Sequence, residues 1–136
     1  HNLFPIVIEM LLAGRTPRIN GDDYATPDGT CVRDYVHVGD LAISHVAAAR
    51  ALMEGRDLQA AYNLGSGDGL SVREIMSAMA EVSGVDFTPE VAPRRPGDPA
   101  RIVANGDAAA RDLNWQMRWT VGQMVESAWR ARTAHA

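Results

Sequence analysis

The residues best suited to chemistry gather in one short stretch, Ala92-Pro93-Arg94-Arg95-Pro96-Gly97-Asp98-Pro99. Three prolines and a glycine fix it as a loop carrying two adjacent cations and one anion. Arginine presents a planar fork of donors that matches phosphate oxygens. Asp98 is an acceptor suited to ribose or sugar hydroxyls. A solvated loop with a local Arg–Asp pair is the other reading, and residue types alone leave both open. A second charged pair, Arg33 and Asp34, lies in an otherwise apolar strand-like run. Consecutive strand residues point to opposite faces, so the two cannot share one solvent-facing side. Either one of them reaches a ligand or both close an internal salt bridge.

Other candidates carry less. Gly65-Ser66-Gly67-Asp68-Gly69 precedes a helix, as a dinucleotide phosphate loop would. Its glycine spacing is one residue too short, and Asp68 would set a carboxylate against a pyrophosphate. A tight turn into the helix is the better reading. His37 and His45 lack further ligands at matching spacing, so they read as core or capping residues and not as metal ligands. No Ser-His-Asp or Cys-His grouping stands out. All 13 basic residues are Arg, which excludes a lysine-dependent mechanism within this chain.

These residues need a scaffold, and 136 residues suffice for one ordinary domain or part of a larger one. A hydrophobic content of 46% is that of a globular protein. The net charge of -4 argues against a general nucleic-acid surface. A single cysteine, Cys31, excludes an internal disulfide framework and is compatible with the cytoplasm. No apolar run approaches a membrane span, and no leader pattern appears. The opening His1-Asn2-Leu3, without an initiator Met, reads as a processed or truncated chain.

Asn2 is placed to cap a helix with an inward stripe of Leu3, Ile6, Val7, Met10 and Leu11, which Gly14 stops. A short strand is expected near Arg18–Asn20 and an extended run over Val32–Val38. Asp40 opens a helix to about Met53. Ala60–Leu64 reads as a short buried strand, and Phe87–Val91 as another. Ser71 with Glu74, and Thr120 with Gln123, form capping boxes for two more helices. Asp107 caps a short helix ending near Trp115. This alternation is an α/β pattern whose strands are few and short, as if completed by a segment outside the chain.

Three blocks together resemble the UDP-glucose 4-epimerase family of extended short-chain dehydrogenases. They are Gly21-Asp22-Asp23-Tyr24-Ala25-Thr26-Pro27-Asp28-Gly29-Thr30-Cys31-Val32-Arg33-Asp34-Tyr35-Val36-His37-Val38, then Tyr62-Asn63-Leu64-Gly65, then residues 92–99. Their order and spacing match the family's C-terminal part over nearly the whole chain. The resemblance implies an α/β fold in which a small substrate domain, with elements that pack on a Rossmann sheet, follows an NAD-binding domain. Residues 1–136 would be the UDP-sugar-binding C-terminal segment, and the Rossmann domain would lie outside it. NAD and the Ser/Tyr/Lys catalytic group would belong to that absent part, so the chain alone would hold no catalytic residue and be inactive. In the family, NAD takes a hydride from C4 of the sugar and returns it to the other face of the 4-keto intermediate.

By the same resemblance, Asn2 and Leu3 contact the ligand near the pyrophosphate, and Arg33 and Arg95 carry the diphosphate charge. Asp98 holds ribose hydroxyls, and Arg18, Ile19 and Asn20 lie along the uracil. Arg94 receives no ligand role. Asn20 stands where the family usually has an aromatic, and Ile102 where some relatives place a Tyr. The implied partner is a UDP-sugar, without nucleic acid or membrane, in a cytoplasmic enzyme whose family is commonly dimeric. Another nucleotide-sugar epimerase, dehydratase or decarboxylase is the alternative, as is a non-catalytic nucleotide-sugar-binding module.

Overall fold

A computed structural model describes residues 2–134. Its elements run α1 Leu3–Leu12, β1 Arg18–Asn20, β2 Val32–Arg33, α2 Val38–Met53, β3 Leu70–Ser71, α3 Val72–Ser83, β4 Glu90–Ala92, β5 Arg101–Ile102, α4 Asp107–Leu113 and α5 Val121–Thr133. The chain divides into two compact units. The first comprises the chain up to Val32, Leu70–Arg101 and the chain from Thr120; the second comprises Arg33–Gly69 and Ile102–Trp119.

In the first unit α3 packs on α5 and on α1. The apolar stripes meet there: Val7 and Ile8 from α1, Ile75, Met76 and Met79 from α3, and Met124 and Val125 from α5 are all buried. The two expected capping boxes form, at Ser71–Glu74 for α3 and Thr120–Gln123 for α5. They are legible from sequence because every partner lies within one turn. Asn2 does occupy the N-cap of α1, but its side chain makes no capping hydrogen bond. The loop between β1 and β2 is cross-braced. Asp28 accepts from the Thr30 amide (2.9 Å), the Thr30 hydroxyl (2.8 Å) and the Ser71 hydroxyl (2.5 Å). Burial opposes charge on Asp28, but these bonds from Ser71 and Thr30 outweigh it and hold the carboxyl below its ordinary range.

In the second unit α2 and α4 enclose Ala51, Ala109, Leu113 and Trp115. The expected strand at Ala60–Leu64 is absent: this stretch is irregular. Tyr62 and Leu64 pack against the α2–α4 cluster, and the Tyr62 hydroxyl donates to Asp112 (3.1 Å) and accepts from the Gln59 amide (3.0 Å). Side-chain packing and not a ladder organises the segment. Asp40 does not open α2. The N-cap is His37, whose Nδ1 accepts from the Gly39 amide at 2.9 Å. Of the extended run expected over Val32–Val38, only Val32–Arg33 is paired as a strand, β2. The later strand is Glu90–Ala92, shifted from Phe87–Val91. Asp107 is the first residue of α4, behind an N-cap at Gly106, and its amide donates to Asn105 (2.8 Å).

Candidate functional site

The first unit assembles most of the candidate residues around one parallel strand pair. β1 and β4 pair with the register Arg18↔Glu90, Ile19↔Val91 and Asn20↔Ala92. The Glu90 amide donates to the Pro17 carbonyl (3.0 Å), and the Gly21 amide to the Ala92 carbonyl (2.8 Å). Ile19 is buried and anchors β1. Arg18 points outward and pairs with Glu90 at 3.6 Å. Thus Ile19 is committed to the core and Arg18 to its strand neighbour, while Asn20 sits directly beside the start of the Pro/Arg loop.

The two arginines of that loop have separate tasks. Arg94 folds back onto the loop after β1. Its Nε donates to Asp23 Oδ1 at 2.6 Å, it also donates to the Asp23 carbonyl, and its guanidinium lies 4.2 Å from the Tyr24 ring centre. The hydrogen bond from Arg94 holds the Asp23 carboxyl below its usual range. Burial pushes the Tyr24 phenol up. Gly21, at φ 85°, permits this closure, because a Cβ there would sit 2.6 Å from Arg94 Cγ and 2.8 Å from Tyr24 Cε2.

Arg95 is held differently. The Asn20 side-chain oxygen accepts from its Nε at 3.2 Å and its Nη2 at 3.1 Å, in the amide orientation that satisfies both groups. A turn follows, with the Asp98 amide donating to the Arg95 carbonyl (3.2 Å) and Gly97 at φ 83°. Asp98 and Arg33 also engage partners of their own, so neither is a free charge. Asn2 and Leu3 begin α1 within the same unit as Asn20, Arg95 and Asp98, whereas Arg33 belongs to the second unit. Removing Arg94 by alanine substitution should lower the thermal midpoint and speed proteolysis near residues 21–24, and an unchanged midpoint would show that its contacts with Asp23 and Tyr24 are dispensable.

The second unit shows what Asp34 and the glycine-rich loop do. Asp34 Oδ1 accepts from the Ser66 amide (3.0 Å) and hydroxyl (2.8 Å), and Oδ2 from the Ala104 amide (2.9 Å). A Cβ on Gly65 would lie 2.2 Å from Asp34 Oδ2. The Ser66 donors that a phosphate would need are therefore turned onto a carboxylate of the chain itself. This loop does not fit a dinucleotide and is a structural turn. Among the described residues there is no group of His, Cys, Asp and Glu that could hold a metal, and no helix long and apolar enough to cross a membrane.

Sequence reasoning missed two residues. Asp40 is fully buried, and its carboxylate accepts from the amides of Arg118 (3.1 and 3.2 Å) and Trp119 (3.2 Å). The His37 ring stacks on Trp119 at 3.9 Å between ring centres. The available signal was an acidic residue in the first turn of a helix, which gives no hint of partners so distant in sequence.

The fold matches the C-terminal part of proteins with a short-chain dehydrogenase fold. The chain corresponds, in sequence and in fold, to a C-terminal part of UDP-glucose 4-epimerase. It is 40% identical to the UDP-glucose 4-epimerase of Halalkalibacterium halodurans over 98% of the chain, and 42% identical to that of Corynebacterium glutamicum over 94%. Among solved structures, UDP-glucose-4-epimerase from Stenotrophomonas maltophila, with bound NAD and formylated UDP-arabinopyranose, matches 99% of the chain with a TM-score of 0.88 and 37% identity. The Bifidobacterium longum enzyme, in complex with NAD+ and UDP, matches 98% with a TM-score of 0.81 and 38% identity. The chain spans 40% and 39% of the two sequence relatives and 41% and 40% of the two structures. No family model matches the chain.

Proposed function

We infer that this chain is the UDP-sugar-binding, C-terminal part of an NAD-dependent UDP-glucose 4-epimerase. Its share of the work is to bind and orient the UDP half of the substrate. The hydride chemistry belongs to NAD and to acid/base residues in a preceding Rossmann domain, in keeping with a glycine-rich loop here that is closed onto Asp34. On this reading Arg95 contacts the diphosphate, Asp98 the ribose hydroxyls, the β1 backbone of Arg18, Ile19 and Asn20 the base, and Asn2 and Leu3 the pyrophosphate end of the ligand. Ile19 would contribute backbone only, since its side chain is buried. Arg33, which the family resemblance also assigns to the diphosphate, lies in the second unit.

The observation that carries the reading is the state of Arg95. Its neighbour Arg94 is neutralised by Asp23, and Arg18, Arg111, Arg130 and Arg132 each pair with a carboxylate. Arg95 is held by a neutral amide, and no ion pair is formed by it among the described residues. An oriented cation without a carboxylate suits an anionic ligand. Titration of the full-length protein with UDP and with uridine tests this. UDP should bind at least ~10-fold more tightly, the value of one charge-assisted contact. Equal affinities would contradict a cationic diphosphate site.

A further inference from the structure

We propose that Asn20 is a positioning residue for Arg95, holding the Nε–Nη2 edge of its guanidinium so that the remaining donors face a nucleotide diphosphate. The proposal rests on the reading of Arg95 as a diphosphate ligand and adds the device that presets it.

The backbone at both ends is fixed before the side chains meet. Asn20 lies in β1 opposite Ala92, between the buried Ile19 and Gly21, whose amide is bonded to the Ala92 carbonyl. Arg95 follows β4 by three positions and enters a turn closed by the Asp98 amide. One acceptor oxygen then takes two donors of the same guanidinium, at 3.2 and 3.1 Å. This contact fixes the plane of the fork as well as its position. A guanidinium has five N–H donors, so three, both on Nη1 and the second on Nη2, are left for a ligand.

The chemical type of Asn20 matters as much as its place. A carboxylate at this position would make the same contact but would also neutralise the cation, as Asp23 does for Arg94. An amide orients without neutralising. A flexible arginine must otherwise lose its rotamer freedom when the ligand binds, which weakens binding, and presetting removes that loss. The pair therefore acts on diphosphate affinity and not on the base.

The test uses the full-length protein and measures Kd for UDP and for uridine in Asn20→Asp, Asn20→Ala, Arg95→Ala and the Asn20→Ala/Arg95→Ala double variant. Asn20→Asp should weaken UDP by about tenfold or more. It should leave uridine unchanged, because the change neutralises the cation and keeps the shape. Asn20→Ala should show a smaller loss for UDP, also without effect on uridine. Asn20→Ala should add nothing once Arg95 is gone. Equal weakening of UDP and uridine by Asn20→Asp would overturn the proposal, because Asn20 would then act on the base or on the fold. Normal UDP binding by Asn20→Asp alongside a weakened Arg95→Ala would overturn it while leaving the proposed function intact. Unchanged UDP binding by Arg95→Ala would remove both.

Discussion

Asp40→Ala should lower the stability of the second unit by about 2–6 kcal/mol, taking ~1–3 kcal/mol for each buried donor left without an acceptor. Asp40 is fully buried in the first turn of α2, and both of its carboxylate oxygens are taken by the Arg118 and Trp119 amides. The substitution strands both amides and removes an anion that the positive end of the helix favours. The Trp115 indole would keep its bond to the Asp40 backbone carbonyl, because that bond (2.8 Å) does not involve the side chain. The loss should therefore concentrate at residues 118–119, where Trp119 stacks on His37, the cap of α2. Asn at this position keeps one acceptor and should cost less. Urea denaturation followed by tryptophan fluorescence measures the difference. An Asp40→Ala midpoint equal to that of the parent would show that the carboxylate is dispensable.

The second large effect is on binding. Arg95→Ala should weaken UDP by roughly 10- to 100-fold, the range of a charge-assisted contact worth ~1.5–3 kcal/mol. Uridine should bind as before, so the preference for UDP should shrink or vanish. The contrast with Arg94 is instructive. Both arginines are adjacent in one loop, yet Arg94 is locked to Asp23 and Tyr24, while Arg95 is oriented by Asn20. Arg94→Ala therefore changes loop stability first, and Arg95→Ala changes affinity first. Raised ionic strength should also weaken UDP more in the parent than in Arg95→Ala, since screening acts on the charge that the variant lacks.

What could be read from the sequence follows the range of the interactions. The capping boxes at Ser71 and Thr120 were legible, because each depends on residues within one turn. The α1 stripe was legible in part: Val7 and Leu11 are buried, but so is Ile8, which lay outside it, while Leu3, Ile6 and Met10 are half-buried. The strand at Arg18–Asn20 was legible from its place between turns. His37 was read as a core or capping residue, and it is the N-cap of α2, in the tautomer with a bare Nδ1. Ala60–Leu64 misled because its apolar content suits a strand, whereas Tyr62 and Leu64 pack on helices. Asp34 looked like a candidate for a salt bridge or a ligand, and Asp40 like the start of a helix; both are consumed by backbone amides that approach from distant parts of the chain. In the candidate site, the Pro/Arg loop announced itself by composition. The division of labour between Arg94 and Arg95 did not, because it depends on Asp23 and Asn20, which only the β1–β4 pairing brings near.

Conversion of UDP-galactose to UDP-glucose, followed by NMR with NAD present, tests the proposal that this chain is the substrate-binding part of a UDP-glucose 4-epimerase. The full-length protein should bring the two sugars to equilibrium, and the 136-residue chain alone should leave UDP-galactose unchanged. Failure of the full-length protein to interconvert them, or turnover by the isolated chain, would contradict the account.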